Sequence, residues 1–574
     1  MARGLEWYFP TGEFGLASWV VPGYYQGSLE RVHPLRCILK MFVRVKGLFF
    51  MKYIRTTLLF LLVAGFMFGA ASVVAQDDNT LVITSNSDVN SLDPAVGYDT
   101  VSWPSESLVY RGLVTYADDG MTLEPALAES YKVSDDGLTY TFTLRSGVKF
   151  SNGREITADD VKYSFERLLN PKTASPGTFM FDVIAGAQDY IANKAAEVSG
   201  IKVVDPRTVQ FTLSRPEWTF LQRMAVPFAS IVAKEGVEAA GDQFGRKPLG
   251  AGPFVLTSWD AGLSLKFDRN PNYYRDGYPK VDHVEIQVGQ DPAAAVLKIE
   301  SGDADTSLDF VPQSDYPRIA QDAALKDRLI LSPVPNVFYI AYNVREKPFD
   351  DVRVRKALSM AIDRDRIVQV LNGRPQPADG LFPPNLQGNN PNLQPEKFDP
   401  EGAKALLKDA GYADGLSTSL YVDTDPQDVS VVQAIVQDWE QIGVKTDIVQ
   451  LEFSQLLDIM YGSNPGQMPL LYISWYADYP DPSDFYEPLL KCGSGNNTGG
   501  FCDEKLDKIE ADAALIPPGD ARWKAFAGLE AAINDDMPWA FVFYGRNFFY
   551  TSGRVKGLKP HPSYGLTFET ATVQ

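Results

Sequence analysis

Past about Asn336 this chain alternates short apolar runs with amphipathic stretches that open on aspartates. Strands that read as near-continuous apolar runs must be covered on both faces, which leaves little besides an α/β layered fold. VFYIAYNV (Val337–Val344) reads as a strand. Asp351 caps a helix through VRVRKALSMAI, and Asp399-Pro400 opens EGAKALLKDA, which Gly411 stops. A strand at Thr418–Val422, a helix at Val429–Ile442 and strands at Val444–Val449 and Leu470–Ser474 follow. The apolar run Trp539–Tyr544 then precedes a short strand-rich tail.

The chain before Asn336 has a different texture. A strand is expected at Thr80–Ser85. TYTFTL (Thr139–Leu144) alternates after an Asp-Gly turn, as a hairpin arm whose expected partner is Val148–Phe150. Thr157 with Asp160 three residues on is a capping box opening an amphipathic helix. Val203–Leu213 reads as a second hairpin about Asp205-Pro206. Strand-rich runs with single helices suggest an α+β region. At 574 residues the chain is too long for one small core. We read two lobes, with the last element crossing back to the first.

The formal net charge of −20 disfavours nucleic acid, whose affinity rests on Lys and Arg contacts to phosphate. Leu58–Ala71 is uncharged and mostly apolar, Lys52 and Arg55 precede it, and small residues lead to Ala75. These are the three parts of a secretory signal peptide, starting at Met51 and cleaved after Ala75. The rival reading is an uncleaved anchor, since Thr56–Gln76 carries no charge; the small-residue drift favours cleavage. Residues 1–50 are read as an upstream start-site artefact or an extension. Residue 76 is Gln, so there is no lipobox cysteine, and the expected location is the periplasm or the cell-envelope exterior. Cleavage leaves 45 basic and 70 acidic residues, a net charge of −25. Cys492 and Cys502 then stand ten residues apart in an oxidising compartment, as a disulfide or as two free thiols.

Catalytic patterns are absent from the sequence. After cleavage only His283 and His561 remain, far apart, with no HExxH and no paired-cysteine zinc spacing. There is no GxSxG elbow, and CGSGNNTGG (Cys492–Gly500) lacks the lysine of a phosphate loop. LGAGP (Leu249–Pro253) lacks the third glycine of a dinucleotide motif. Acid pairs are plentiful, so residue type alone leaves a carboxylate-dependent hydrolase open. The most unusual stretch is SWYADYPDPSDFY (Ser474–Tyr486), with Asp478, Asp481, Asp484, two prolines and five aromatics. Its aspartates recur every third residue, which does not match an EF-hand. We expect no catalytic set, metal or cofactor.

Four further blocks accompany that stretch in order: Leu108–Leu169, Pro248–Tyr278, Tyr342–Asp363 and Asp399–Tyr412. Together they resemble the family 5 extracytoplasmic solute-binding proteins of peptide- and nickel-type ABC importers, which include dipeptide- and oligopeptide-binding proteins. The resemblance implies an α/β fold: a two-lobe periplasmic-binding-protein-like clamp, type II, of the large class. Lobe I would span 80–332 with an extra subdomain at about 110–247, and lobe II 333–540, with 541–574 returning to lobe I. It implies a non-enzymatic receptor, monomeric, whose partners are a peptide or other small solute and the membrane subunits of an ABC permease.

By the same resemblance Asp478 would grip the ligand's α-ammonium group and Trp475 would stack on the ligand. The Ser474–Tyr476 backbone would pair with an extended peptide, and Val101, Ser102 and Trp103 would make the opposite backbone contacts. Asp481 and Asp484 are read as turn and cap residues ahead of ligand contacts. Dipeptide-binding relatives clamp the ligand carboxylate with an arginine in a stretch corresponding to Tyr421–Gln441. Here that stretch has no Arg or Lys and offers Asp423, Asp425 and Asp428. Longer peptides, or a cationic or polyhydroxylated solute such as an oligosaccharide, fit that departure better than a tightly held dipeptide.

Overall fold

The computed structural model describes residues 79–117, 122–461 and 468–574. The export segment read at 51–75, its cleavage after Ala75 and the first fifty residues lie outside them. In the N-terminal half, Thr80–Thr84 pairs in parallel with His283–Gln287 on one side and Thr306–Ser307 on the other. Antiparallel Ser264–Arg269 and Phe254–Asp260 complete a five-stranded sheet. Leu81, Ile83, Val284 and Ile286 fill its core. Gly250 and Gly252 precede the last of these strands. A Cβ on either would meet the Val109 backbone at 2.3 Å, so glycine is what lets the two chain segments touch.

A separate four-stranded antiparallel sheet has the order Ala128–Val133, Thr139–Leu144, Thr208–Thr212, Ile201–Asp205. Tyr140, Phe142 and Leu144 alternate inward against the helix Ala158–Leu169, which opens on the Thr157/Asp160 capping box. The partner expected for Thr139–Leu144 at Val148–Phe150 is corrected: its neighbours are Ala128–Val133 and Thr208–Thr212. Val148 and Phe150 are buried in the core, and their backbone forms a tight turn in which Phe150 N bonds Arg154 O. Hairpin proximity lost to longer-range pairing on both edges of the strand, which buries its alternating face of Tyr140, Phe142 and Leu144.

The C-terminal half is a six-stranded mixed sheet in the order Gln376–Pro377, Trp539–Tyr544, Asn336–Tyr342, Leu470–Tyr476, Leu416–Asp423, Val444–Leu451. Helices cover both faces, so Asn336–Tyr342 is buried at every position. One face packs Phe338, Ile340, Leu420 and Val422 under Pro426–Gln441, with Trp439 wholly buried. The other packs Val337, Tyr339 and Leu471 under Asp520–Asp536. The expected caps form at Asp351 and Asp399, and Asp425 caps a helix that starts at Pro426, ahead of its expected start at Val429; each accepts a backbone N–H of its helix. The tail returns to the first sheet, where Ser552 and Arg554 both bond buried Asp305 at 2.8 Å. Among the described residues no helix is long and apolar enough to cross a membrane.

Candidate functional site

The site begins with a strand that loses one neighbour. Leu470–Tyr476 runs antiparallel to Asn336–Tyr342, and the flanking bonds Ala477 N to Pro335 O and Asn343 N to Pro469 O fix its parity. In an antiparallel ladder alternate residues bond the same neighbour, so Leu471, Ile473 and Trp475 face Asn336–Tyr342. Ser474 and Tyr476 therefore turn their N–H and C=O groups to the opposite edge. There the parallel strand Leu416–Asp423 pairs only as far as Tyr421 with Leu471, then parts from it. The result is a gap where, among the described residues, the main-chain groups of Ser474 and Tyr476 on one bank meet no partner strand. The N-terminus of the helix Pro426–Gln441 lies on the other. Such divergence at the carboxyl ends of parallel strands is where open α/β sheets bind ligands.

Asp478 stands two residues beyond this edge and is only 5% exposed. Tyr98 Oη donates to its Oδ2 at 2.8 Å, and its own N–H goes to Asp484 Oδ2 at 2.8 Å. Burial pushes the Asp478 carboxyl up to about 7, against the pull of the Tyr98 hydrogen bond. Among the described residues no basic group forms an ion pair with it. A desolvated carboxylate with a single side-chain donor is a strong acceptor for an arriving cation.

The other two aspartates of the stretch have different work. Asp481 accepts from Ser483 N and Oγ and forms a fully buried ion pair with Arg522 at 2.8 Å, tying the loop to Asp520–Asp536. Asp484 accepts from the Asp478 N–H and from Trp475 Nε1 at 3.3 Å, so it aims both residues. Burial and the nearby Asp478 push its own carboxyl well up. Trp475 is half-buried on the face opposite Tyr476. Cys492 and Cys502 are joined as a disulfide that closes the loop after this segment.

The contribution from the N-terminal half differs from expectation. Val101 N and Ser102 N bond Asp99 Oδ1, and Trp103 N bonds Asp99 O, because this segment starts the helix Ser102–Val109. Val101, Ser102 and Trp103 are buried, and their N–H groups are already taken, so they cannot pair with a ligand strand in this conformation. Tyr98 reaches the site instead, packed on Trp103 and Phe228 at 5.5 and 5.2 Å between ring centroids. Nothing in the sequence around Gly97-Tyr98-Asp99 marks it. Beside it, Arg223 pairs with Glu487 at 2.9 Å and lies over the Tyr479 ring, joining the two halves.

Across the gap, Asp423 accepts from Asp425 N, and Asp425 from Gln427 N. Burial, then Asp423 and Asp425, push Asp428 well above the carboxylate range. Among the described residues no His, Cys, Asp and Glu cluster could hold a metal ion.

The family described as bacterial extracellular solute-binding proteins, family 5 Middle, matches residues 122–497. Di/tripeptide-binding protein 2 of Pseudomonas aeruginosa is 30% identical over 529 residues, covering 87% of this chain and 96% of its own length. Heme-binding protein A of Haemophilus influenzae is 31% identical over 519 residues, covering 85% and 91%. The solved structure of the Escherichia coli murein tripeptide binding protein MppA superposes with a TM-score of 0.78 at 27% identity, covering 86% of this chain and 98% of that one. The α/β two-lobe clamp expected from the sequence is the fold that this chain adopts.

Proposed function

The chain belongs to the extracellular solute-binding proteins of family 5, and we propose that it is the capture subunit of an ABC importer for peptides. Lobe I spans 80–332 with a subdomain at about 110–247, and lobe II spans 333–540, with the tail returning to lobe I. The clamp closes on an extended solute and presents it to the membrane permease without covalent chemistry. Export by the segment at 51–75 places the monomeric receptor outside the cytoplasmic membrane.

One observation carries the reading: a strand edge that, among the described residues, has no partner strand at Ser474 and Tyr476 leads directly to Asp478, a buried carboxylate with no ion-pair partner among them. A peptide added as a strand satisfies those groups and brings its α-ammonium to Asp478, while Trp475 walls the first side chain. Tyr98 supplies the closing contact from lobe I.

Isothermal titration of the mature protein with a mixture of di- and tripeptides tests this, alongside mass spectrometry of co-purifying solutes. Binding by the wild type and a loss of about 10- to 100-fold in Asp478→Ala are expected, as for a hydrogen-bonded charge. Peptide turnover, or affinity unchanged in the variant, would refute it.

A further inference from the structure

Besides the Tyr98–Asp478 contact, the two halves of the chain meet through a group of charges. Arg223, in the N-terminal half, is 2% exposed. Its guanidinium lies 3.4 Å from Glu217 of the same half and 2.9 Å from Glu487 of the other. It also sits over the ring of Tyr479, the residue after Asp478, at 5.2 Å from the centroid. Arg215 adds a second contact to Glu487 at 3.6 Å. Along the same seam Trp218 Nε1 donates to Leu515 O at 3.0 Å.

Glutamates from both sides converge here. Glu487 and Glu217 both act on the buried Glu510 carboxyl, and Lys491 and Arg215 act against them. Bringing the halves together therefore crowds three acids, whose repulsion in a desolvated seam is large unless cations offset it. The pair Glu217–Arg223 lies within one segment, where Thr219 Oγ1 steadies Glu217 at 2.6 Å, so it survives when the halves part. Among the described residues Glu487 then keeps only Lys491, at 4.0 Å. The bonds from Arg223 and Arg215 to Glu487 are thus made on closing and broken on opening. The side chains of Arg223 and Glu487 are 2% and 15% exposed, so their pair is far less screened than a surface one.

We propose that Arg223 and Glu487 form a closure latch that fixes how long the clamp stays shut, whatever solute it holds. This rests on the capture reading above. Neither residue belongs to the strand edge or to the turn that presents Asp478. Glu487 follows the short helix Ser483–Tyr486, and Arg223 ends the helix Phe220–Arg223 and packs on Tyr479. The latch therefore enters the closing equilibrium and not the contacts to the solute. Apparent affinity scales with that equilibrium, so the latch multiplies affinity for every solute by one factor. Selectivity stays with Asp478 and the strand edge.

The test is stopped-flow and calorimetric titration of one peptide series against wild type, Glu487→Gln and Trp218→Phe. Glu487→Gln keeps the shape of the latch and removes its charge. Trp218→Phe removes the neighbouring bond to Leu515 and touches no charge, so it reads the same seam should Glu487→Gln fold poorly. Dissociation is expected to be about 10-fold faster in Glu487→Gln, the low end for a hydrogen bond to a charged group, with association within about twofold of wild type. In Trp218→Phe it should be about threefold faster, as for a neutral hydrogen bond. Within each variant, affinity should fall by the same factor for every peptide of the series. Dissociation at the wild-type rate in either variant, or losses that differ between peptides by more than about threefold, overturns the latch alone. No peptide binding by the wild type overturns the functional reading and this inference with it.

Discussion

The carboxylate assigned to the ligand's ammonium makes affinity depend on pH in a definite way. Asp478 is 5% exposed, receives one hydroxyl donor from Tyr98 and has no ion-pair partner among the described residues. Burial therefore pushes it up to about 7. The groups around it are Tyr98 from the N-terminal half and Asp484 from its own loop. Burial and the nearby Asp478 push Asp484 well up too, which favours its protonated form beside an ionised Asp478. An ammonium ligand needs Asp478 ionised, so below pH 7 each bound ligand displaces one proton. The association constant should then fall about tenfold per pH unit, or about 1.4 kcal/mol. At pH 5 roughly 1% of the free protein has Asp478 ionised, so affinity should be about 100-fold below its plateau. Above pH ~8 the α-amino group of the peptide itself deprotonates and binding should weaken again. Calorimetric titration at pH 5, 6, 7 and 8, in pairs of buffers with different ionisation enthalpies, reads both the affinity and the proton released. Asp478→Asn should bind weakly with a flat profile from pH 5 to 7. A flat wild-type profile, or a slope surviving in the variant, refutes the assignment of the ammonium site.

Two stability predictions accompany it. Arg522→Met should destabilise the protein by about 3–5 kcal/mol, since it strands the buried Asp481 carboxylate. Urea unfolding measures this, and a loss below about 1 kcal/mol would refute the structural role of the ion pair. Glu530 accepts the N–H groups of Phe382 and Asn390, and burial pushes it up to about 8. An unfolded glutamate titrates near ~4.3, so between those values the native state holds a proton that the unfolded chain gives up. This group should lower stability by about 1.4 kcal/mol per pH unit across that window, and Glu530→Gln should remove its share of the decline. Parallel melting-temperature curves for wild type and variant from pH 5 to 8 would contradict it.

Local chemistry made much of this protein legible in its sequence. The helices opened by Thr157, Asp351 and Asp399 depend on contacts within three residues of each cap. The strands follow from alternation or from continuous apolar runs. These are decided within a few residues, so a sequence states them directly. The segment Ser474–Tyr486 was equally conspicuous, because three acids among five aromatics fit neither a core strand nor an ordinary loop.

Only the tertiary structure could separate its aspartates. Asp481 became structural because Arg522, from another helix, pairs with it. Asp484 became the brace of Trp475 and the Asp478 main chain. Asp478 was left to face Tyr98, a residue 380 positions away with no pattern around it. Val148–Phe150 lost its expected strand partner for the same reason. Sequence fixes what each short segment prefers. Which buried group meets which depends on how distant segments share the interior, where an unpaired charge or backbone group is costly enough to select its neighbour.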